Sequence, residues 1–466
     1  MRLLPAVSAV LSLVACGPQM RAITPDEVVA RGNCPTMMMG AGTEHTMNVT
    51  ADETWTAAGS PHVVSTLRVE ATLTLEACAV VVLKPGAVVS VGNGGTGKAG
   101  KIIAAGTFDG QKLQPVVIKP QTDGQRWASF FVNETGSLDF SYTAVVGGGN
   151  RMASSTNAAI EARGTQAKPL QKKLRMKYVV VRDSGSQGIT LRGYSAFTDD
   201  SEKLFVSGSG AEPEADPRFL TGFPLDIQPG GVGTIPKDST LTGNRRDAIY
   251  IRSVTRLDVD EAFPNRGVPY ILNGEFLMYD LGGSTLTLTI EAGVTIKVEK
   301  NGGGSLGLTL GNKASNAPVR LVARGTQAAP ILLTSAEASP AAGDWKGIAW
   351  GNGPGDGNAV EYVTVEFAGG TTGSRGFGCG PLSNVGGIII TEWRPNDAFV
   401  KNSTFRNLIG AGIVCGWLSD QPGPDLSASN AFSNIAPVPM EGVCNVTKWA
   451  PAAGVGSCAM RPVCVN

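Results

Sequence analysis

The chain has 466 residues, 39 Lys and Arg against 39 Asp and Glu, and therefore no net charge. That balance excludes nucleic acid as a partner and gives no electrostatic pull toward an anionic bilayer. With 61 Gly, 28 Pro and only 17% charged residues, the composition favours many short strands and tight turns, in two or three ordinary domains or one elongated repeat.

The first element is a short apolar run. Arg2 is followed by apolar residues 3–15 and then by Leu13-Val14-Ala15-Cys16. The run is shorter than the ~20 residues a membrane span needs, so it reads as a targeting segment. Its last four residues resemble the lipobox of bacterial lipoproteins. The resemblance implies that residues 1–15 are a signal peptide and that Cys16 carries the lipid, a diacylglyceryl group with an N-acyl (palmitate-type) chain. The family places such proteins at the outer membrane when the next residue is not Asp, and here it is Gly17. The side of that membrane is left open, periplasm or cell surface. The alternative is an ordinary secretory signal with an accidental cysteine.

Export suits disulfides. Setting Cys16 aside leaves Cys34, Cys78, Cys379, Cys415, Cys444, Cys458 and Cys464, an odd number. The expected pairs are Cys34 with Cys78 and Cys379 with Cys415, plus one bridge among the last three, although six cysteines permit 15 connectivities. No C-x-x-C pair stands near a histidine, so no metal or cofactor is expected.

Residues 16–52 lack periodicity and read as the lipidated Cys with a tether, or as an N-terminal cap. Residues 53–240 and 241–440 then read as two β-helix units, and residues 441–466 as a Cys-containing C-terminal cap or tail. The division rests on internal repetition. Gly59-Ser60-Pro61-His62-Val63-Val64 answers Gly267-Val268-Pro269-Tyr270-Ile271-Leu272, and residues 72–78 (TLTLEAC) answer 287–293 (TLTIEAG). Farther on, Gln114-Pro115-Val116 matches Ala329-Pro330-Ile331, Trp127 matches Trp345, and residues 140–145 match 361–366. The octet 162–169 recurs at 323–330 with one change. Within each unit, apolar strands are followed by Gly or Asn turns, as in 178–191 and 402–414, which is the pattern a coil of parallel strands requires.

These residues resemble the right-handed parallel β-helix family, of the bacterial surface lipoprotein type, over residues 55–435. The implied fold is an all-β solenoid on the order of 60 Å long, at about 4.8 Å per coil; the alternative is two β-sandwich domains. With lipid at Cys16, the rod is expected to be held at one capped end and to project away from the membrane. The superfold hosts enzymes, adhesins and inert scaffolds alike.

Candidate chemistry is sparse. Residues 92–98 fit G-x-x-x-x-G-K, but Ala99 supplies no hydroxyl for magnesium, so the segment reads as a glycine turn. Residues 351–358 offer oxygen ligands with a single carboxylate, Asp356. The hydrolases of this fold carry N-T-D, D-D and G-H-G motifs; here only Asp199-Asp200 is present. The lyases' R-x-P-x-x-R is not supplied by Trp393-Arg394-Pro395. His62 matches Tyr270, which points to packing or a surface role, and His45 falls in the tether. Trp393, Trp417 and Trp449 lie outside the repeat and are candidates for stacking on sugar rings or for packing. No residue is therefore assigned as catalytic. The expected function is a non-catalytic, lipid-anchored surface scaffold, adhesin-like or glycan-binding, with a polysaccharide lyase or glycoside hydrolase as the alternative. Whether polar side chains from adjacent coils converge in a groove is the decisive observation. The oligomeric state is not legible.

Overall fold

The computed structural model describes residues 21–36, 42–150, 158–166, 168–214, 220–253, 256–300, 307–312, 317–351, 353–370, 385–392, 394–417, 424–426, 428–436, 444–448 and 463–465. Cys16, Cys379 and Cys458 lie outside these residues, as do Trp393 and Trp449. For Cys415, Trp417, Cys444 and Cys464 only the strand placement is described.

The chain winds as a parallel β-helix. Each early coil places one strand on each of three faces. The first face holds His62–Val64, Val80–Leu83 and Val116–Pro120; the second holds Leu67–Val69, Val88–Val91 and Ser129–Val132; the third holds Thr72–Leu75 and Gly100–Ala105. Successive coils stack in parallel register, with Val80 opposite Val117, Val89 opposite Phe130 and Ile102 opposite Leu138. Among the described strand pairs only two are antiparallel, Leu113–Gln114 with Thr107–Phe108 and Cys444–Lys448 with Val463–Val465. A sandwich, built from antiparallel hairpins, is therefore not the architecture.

Alternation explains the core. Along Thr72–Leu75 and Val88–Val91 every second side chain is buried, as a strand with one face inward requires. The inward residues form one continuous cluster from Val49 to Ile435. Trp127 and Trp345 are fully buried within it. Their indole N–H groups donate to the carbonyls of Val146 and Glu366, both at 2.8 Å, so each tryptophan fills the interior and closes a corner at matched places.

The corners use the left-handed backbone region. Tyr142 and Tyr178 adopt it midway along Gly136–Val146 and Gln171–Arg182, which turn there from the third face onto the first. Tyr362 adopts the same backbone conformation in the second unit, between Ala359–Glu361 and Val363–Glu366, the latter in a thirteen-stranded sheet. This corrects the repeat by one residue: Val116 pairs with Thr143, and its counterpart Ile331 pairs with Val363. Tyr142 therefore corresponds to Tyr362, and 361–366 match 141–146 rather than 140–145.

The repeat and the sheets do not stay in phase. His62–Val64 lies on the first face, yet its counterpart Tyr270–Leu272 pairs with Ile249–Ile251 and belongs to the thirteen-stranded sheet that continues the second face. The strand after it, Phe276–Met278, opens a new seven-stranded sheet. The exchange happens within one coil. Among the described residues, the first face ends in the isolated bridges of Glu202 to Lys237 and Phe205 to Thr240, and the new sheet is announced by the bridge of Leu257 to Met278. Across this seam the third face passes from the short helical turn Val232–Thr234 to Glu261–Phe263. The buried Glu261 carboxylate accepts the backbone N–H groups of Gly230, at 2.6 Å, and Gly233, at 2.9 Å.

Residues 21–36 fold as a strap on the flank. Thr24 and Glu27 form a reciprocal capping box around a helix at Pro25–Val29, which satisfies backbone donors a helix this short cannot pair internally. Val28 and Ile23 pack on Leu113 and on Val117, Ala144 and Val180, outward residues of the first face, beside Tyr142, Tyr178 and Phe205. Cys34 is disulfide-bonded to Cys78, as expected from the sequence. Ion pairing of Asp26 with Arg182 at 2.7 Å and donation from the Tyr178 hydroxyl to the Ile23 carbonyl at 3.1 Å complete the attachment.

Candidate functional site

Among the described residues, Asp199, Asp200, Lys98, Asp356 and the two histidines take structural roles. Asp199 and Asp200 are exposed and paired, Asp199 with Lys172 and Asp200 with Arg175 at 2.7 Å and Lys177 at 3.4 Å. Hydrogen bonds from Thr198 and Arg175 hold the Asp200 carboxyl far below its ordinary value. It is therefore ionised at any ordinary pH and a poor proton donor. In the glycine turn 92–98, Asn93 bridges back to Lys98, whose ammonium lies 3.1 Å from Glu70; the lysine is neutralised there and the turn joins two strands. Asp356 accepts from Asn396 at 2.7 Å and its carbonyl accepts from Arg320. Among the described residues no group of three His, Cys, Asp or Glu side chains is placed to hold a metal ion.

The two histidines do meet. His45 Nε2 lies 3.0 Å from His62 Nδ1, and His45 stacks on Trp55 at 3.8 Å. His62 Nε2 is 2.8 Å from the Thr56 carbonyl, so it carries the proton there and Nδ1 accepts from His45. Tyr270 likewise donates to the carbonyl six residues earlier, that of Pro264. The matched positions thus perform one packing task with different rings.

Buried Lys173 is also structural. Its ammonium caps the carbonyls of Asn133 at 3.2 Å, Gly136 at 3.3 Å and Glu134, and burial draws it down to about 8.

What sequence reasoning missed lies at the seam. A cleft of about 480 Å³ opens at the corner between the second and third faces, and Gln166, Tyr194, Gln228, Arg256, Asp258 and Tyr279 line it. These side chains come from successive coils: Gln166, Tyr194 and Gln228 follow the second-face strands Ala158–Arg163, Gln187–Arg192 and Leu225–Ile227, Arg256 and Asp258 flank the bridge of Leu257 to Met278, and Tyr279 follows Phe276–Met278 of the new sheet. The Tyr194 hydroxyl donates to Asp258, whose other oxygen lies 3.2 Å from Arg256. The Arg256 guanidinium stands 5.5 Å from the centre of the Tyr279 ring. Burial, then the Asp258 bond, pushes the Tyr194 hydroxyl up to about 12, so it remains a donor. Gly230 sits beneath at φ +109°, where an added Cβ would lie 2.9 Å from the Tyr194 ring; a side chain there would both strain the backbone and displace the ring.

A second layer fixes this corner. Asp226 is completely buried and receives Arg192 at 2.9 Å and Arg252 at 2.7 Å. Burial alone would raise its carboxyl, but the two guanidinium groups hold it below its ordinary value. Arg192 and Arg252 immediately precede Gly193 and Ser253 of the cleft wall, so the buried triad sets where that wall stands. The sequence carried one signal of this site: residues 192–266 fall between the matched blocks of the repeat.

Chemically, the lining pairs two aromatic rings with amide, hydroxyl and guanidinium groups and one carboxylate. Tyrosine rings offer apolar faces to sugar C–H groups, and the polar groups around them can meet sugar hydroxyls. One carboxylate, already engaged by Tyr194 and Arg256, does not make the paired acid and base that glycoside hydrolysis uses.

A family model described as a pectate-lyase like beta helix domain matches residues 260–375. The matched stretch begins at the seam and runs through most of the second unit, supporting a parallel β-helix family. No curated protein and no solved structure matches the chain.

Proposed function

We propose that this is a lipid-anchored envelope protein whose solenoid binds a glycan at the seam cleft without cleaving it, and that it belongs to the bacterial lipoprotein type with its anchor at Cys16 in the outer membrane. The observation that carries the binding reading is the convergence of Tyr194, Gln228, Arg256, Asp258 and Tyr279 from successive coils. The lipobox-like Leu13-Val14-Ala15-Cys16 supports the anchor. Because Asp258 neutralises Arg256, neutral sugars suit the cleft better than uronic acids.

The family match favours a second reading, a polysaccharide lyase or glycoside hydrolase. Detergent-solubilised full-length protein, offered a panel of neutral and uronic-acid polysaccharides, separates the two. Saturable binding without new reducing ends or unsaturated products is expected. Tyr279→Ala should weaken it roughly tenfold, the worth of one aromatic contact at about 1.4 kcal/mol. Turnover of any polysaccharide in the panel overturns the non-catalytic reading.

A further inference from the structure

We infer that the lipid anchor leaves the solenoid from its flank, so that the coil axis lies along the membrane surface and the cleft opens away from it. The inference rests on the proposed acylation of Cys16.

Chain length sets the first constraint. Five residue steps separate Cys16 from Arg21, and a polypeptide reaches at most ~3.6 Å per residue, so Arg21 lies within roughly 18 Å of the acylated residue whatever path the chain takes. Arg21 is fixed to the solenoid wall. Its backbone N–H donates to the Gly110 carbonyl at 3.4 Å, its guanidinium donates to the Gln111 carbonyl at 3.0 Å, and it stands 5.6 Å from the Phe108 ring. The strap beyond it is held by buried Val28, by the backbone pairing of Asn33 with Leu113 and by the Cys34–Cys78 disulfide. The strap from Arg21 to Cys34 therefore adds no length of its own, and the anchor's reach is measured from the flank.

The face under the strap determines the orientation. Val117, Ala144 and Val180 are outward residues of the first face. The first coil instead begins at Thr43–His45, on the far side of the strap in sequence. In a coil of three faces, the corner between the second and third is the one that does not touch the first, and Gln166, Tyr194 and Gln228 of the cleft leave the second face at that corner. A bilayer drawn against the strapped face therefore leaves the cleft directed outward, where a glycan can reach it. The partner of this flank is a lipid surface brought near by the acyl chains; the chain's zero net charge supplies no other pull.

The test uses full-length protein in membranes, with a benzophenone amino acid placed singly at exposed Ala30 or Lys112 on the strapped flank, Ala51 at the first coil, or Gln166 at the cleft. Lipid adducts are expected at Ala30 and Lys112 and not at Ala51 or Gln166. Adducts at Ala51 without Lys112, or none at any position while the protein sediments with membranes, overturn the flank geometry. A Cys16→Ser variant that still sediments overturns the lipidation reading itself, and the two failures are thereby told apart. Cys34→Ala/Cys78→Gly should weaken the Lys112 adducts several-fold by freeing the strap; unchanged adducts in that variant also count against the inference.

Discussion

The two units differ most at one turn. Cys78 and Gly293 occupy matched positions, and both adopt a left-handed backbone, at φ 67° and 77°. Glycine takes that conformation without strain, whereas cysteine is strained by its Cβ. The first unit accepts the costlier residue because its sulfur fastens the strap to the wall. The comparison shows that a coil's turn geometry is inherited through the repeat, while what is attached to it is specific to each unit. The same holds for His62 and Tyr270, which close onto carbonyls six residues back with different rings.

The largest test of equivalence is the tryptophan pair. Trp127→Ala and Trp345→Ala should each destabilise the protein by about 3–5 kcal/mol, the range for truncating a buried aromatic, as measured by urea denaturation followed by far-UV circular dichroism. A difference between them greater than about 2 kcal/mol would show that the matched corners are not energetically alike. Next in size, Cys34→Ala/Cys78→Gly should cost about 2–4 kcal/mol, the usual worth of a disulfide. Hydrogen exchange should locate the loss in the first unit, near Val117, Ala144 and Val180, and leave 286–298 protected. Equal loss in both units would break the contrast.

The smallest effect separates the units by pH. Burial holds both His45 and His62 below the ordinary histidine value, with each other's proximity adding to the effect on His45 and Glu53 opposing it. The unfolded chain therefore binds protons first as pH falls. The stability these rings contribute is complete above about pH 6.5 and is lost as pH drops through their lowered folded values. Exchange protection of 43–64 should fall on acidification while that of 270–298 holds. Tyr270→Phe, by contrast, should cost about 1 kcal/mol at every pH in this range.

Much of the fold is legible in the residues. Alternating apolar positions in TLTL and VVSV, and Gly, Asn or Tyr at the corners, specify short inward-facing strands joined by left-handed turns. The matched tryptophans and the Cys34–Cys78 pair could be anticipated as well. The flank strap was not: residues 21–36 carry no sustained period, and they acquire structure from Tyr178 and Arg182 rather than from their neighbours in sequence. The cleft was equally hidden, since Tyr194 and Asp258 meet only after two further coils have been wound.

By itself the sequence determined the local units of this protein, because turn chemistry and strand alternation act over a few residues. The repeat also fixed the order in which matched segments recur. Which face each strand joined, where the phase slipped by one face, and which side chains met at that slip were decided only by stacking coil on coil. Parallel backbone pairing is indifferent to which strand of the repeat it receives. At the seam, Asp226, Glu261 and the corner glycines meet partners roughly thirty residues away, contacts that no short stretch of sequence contains.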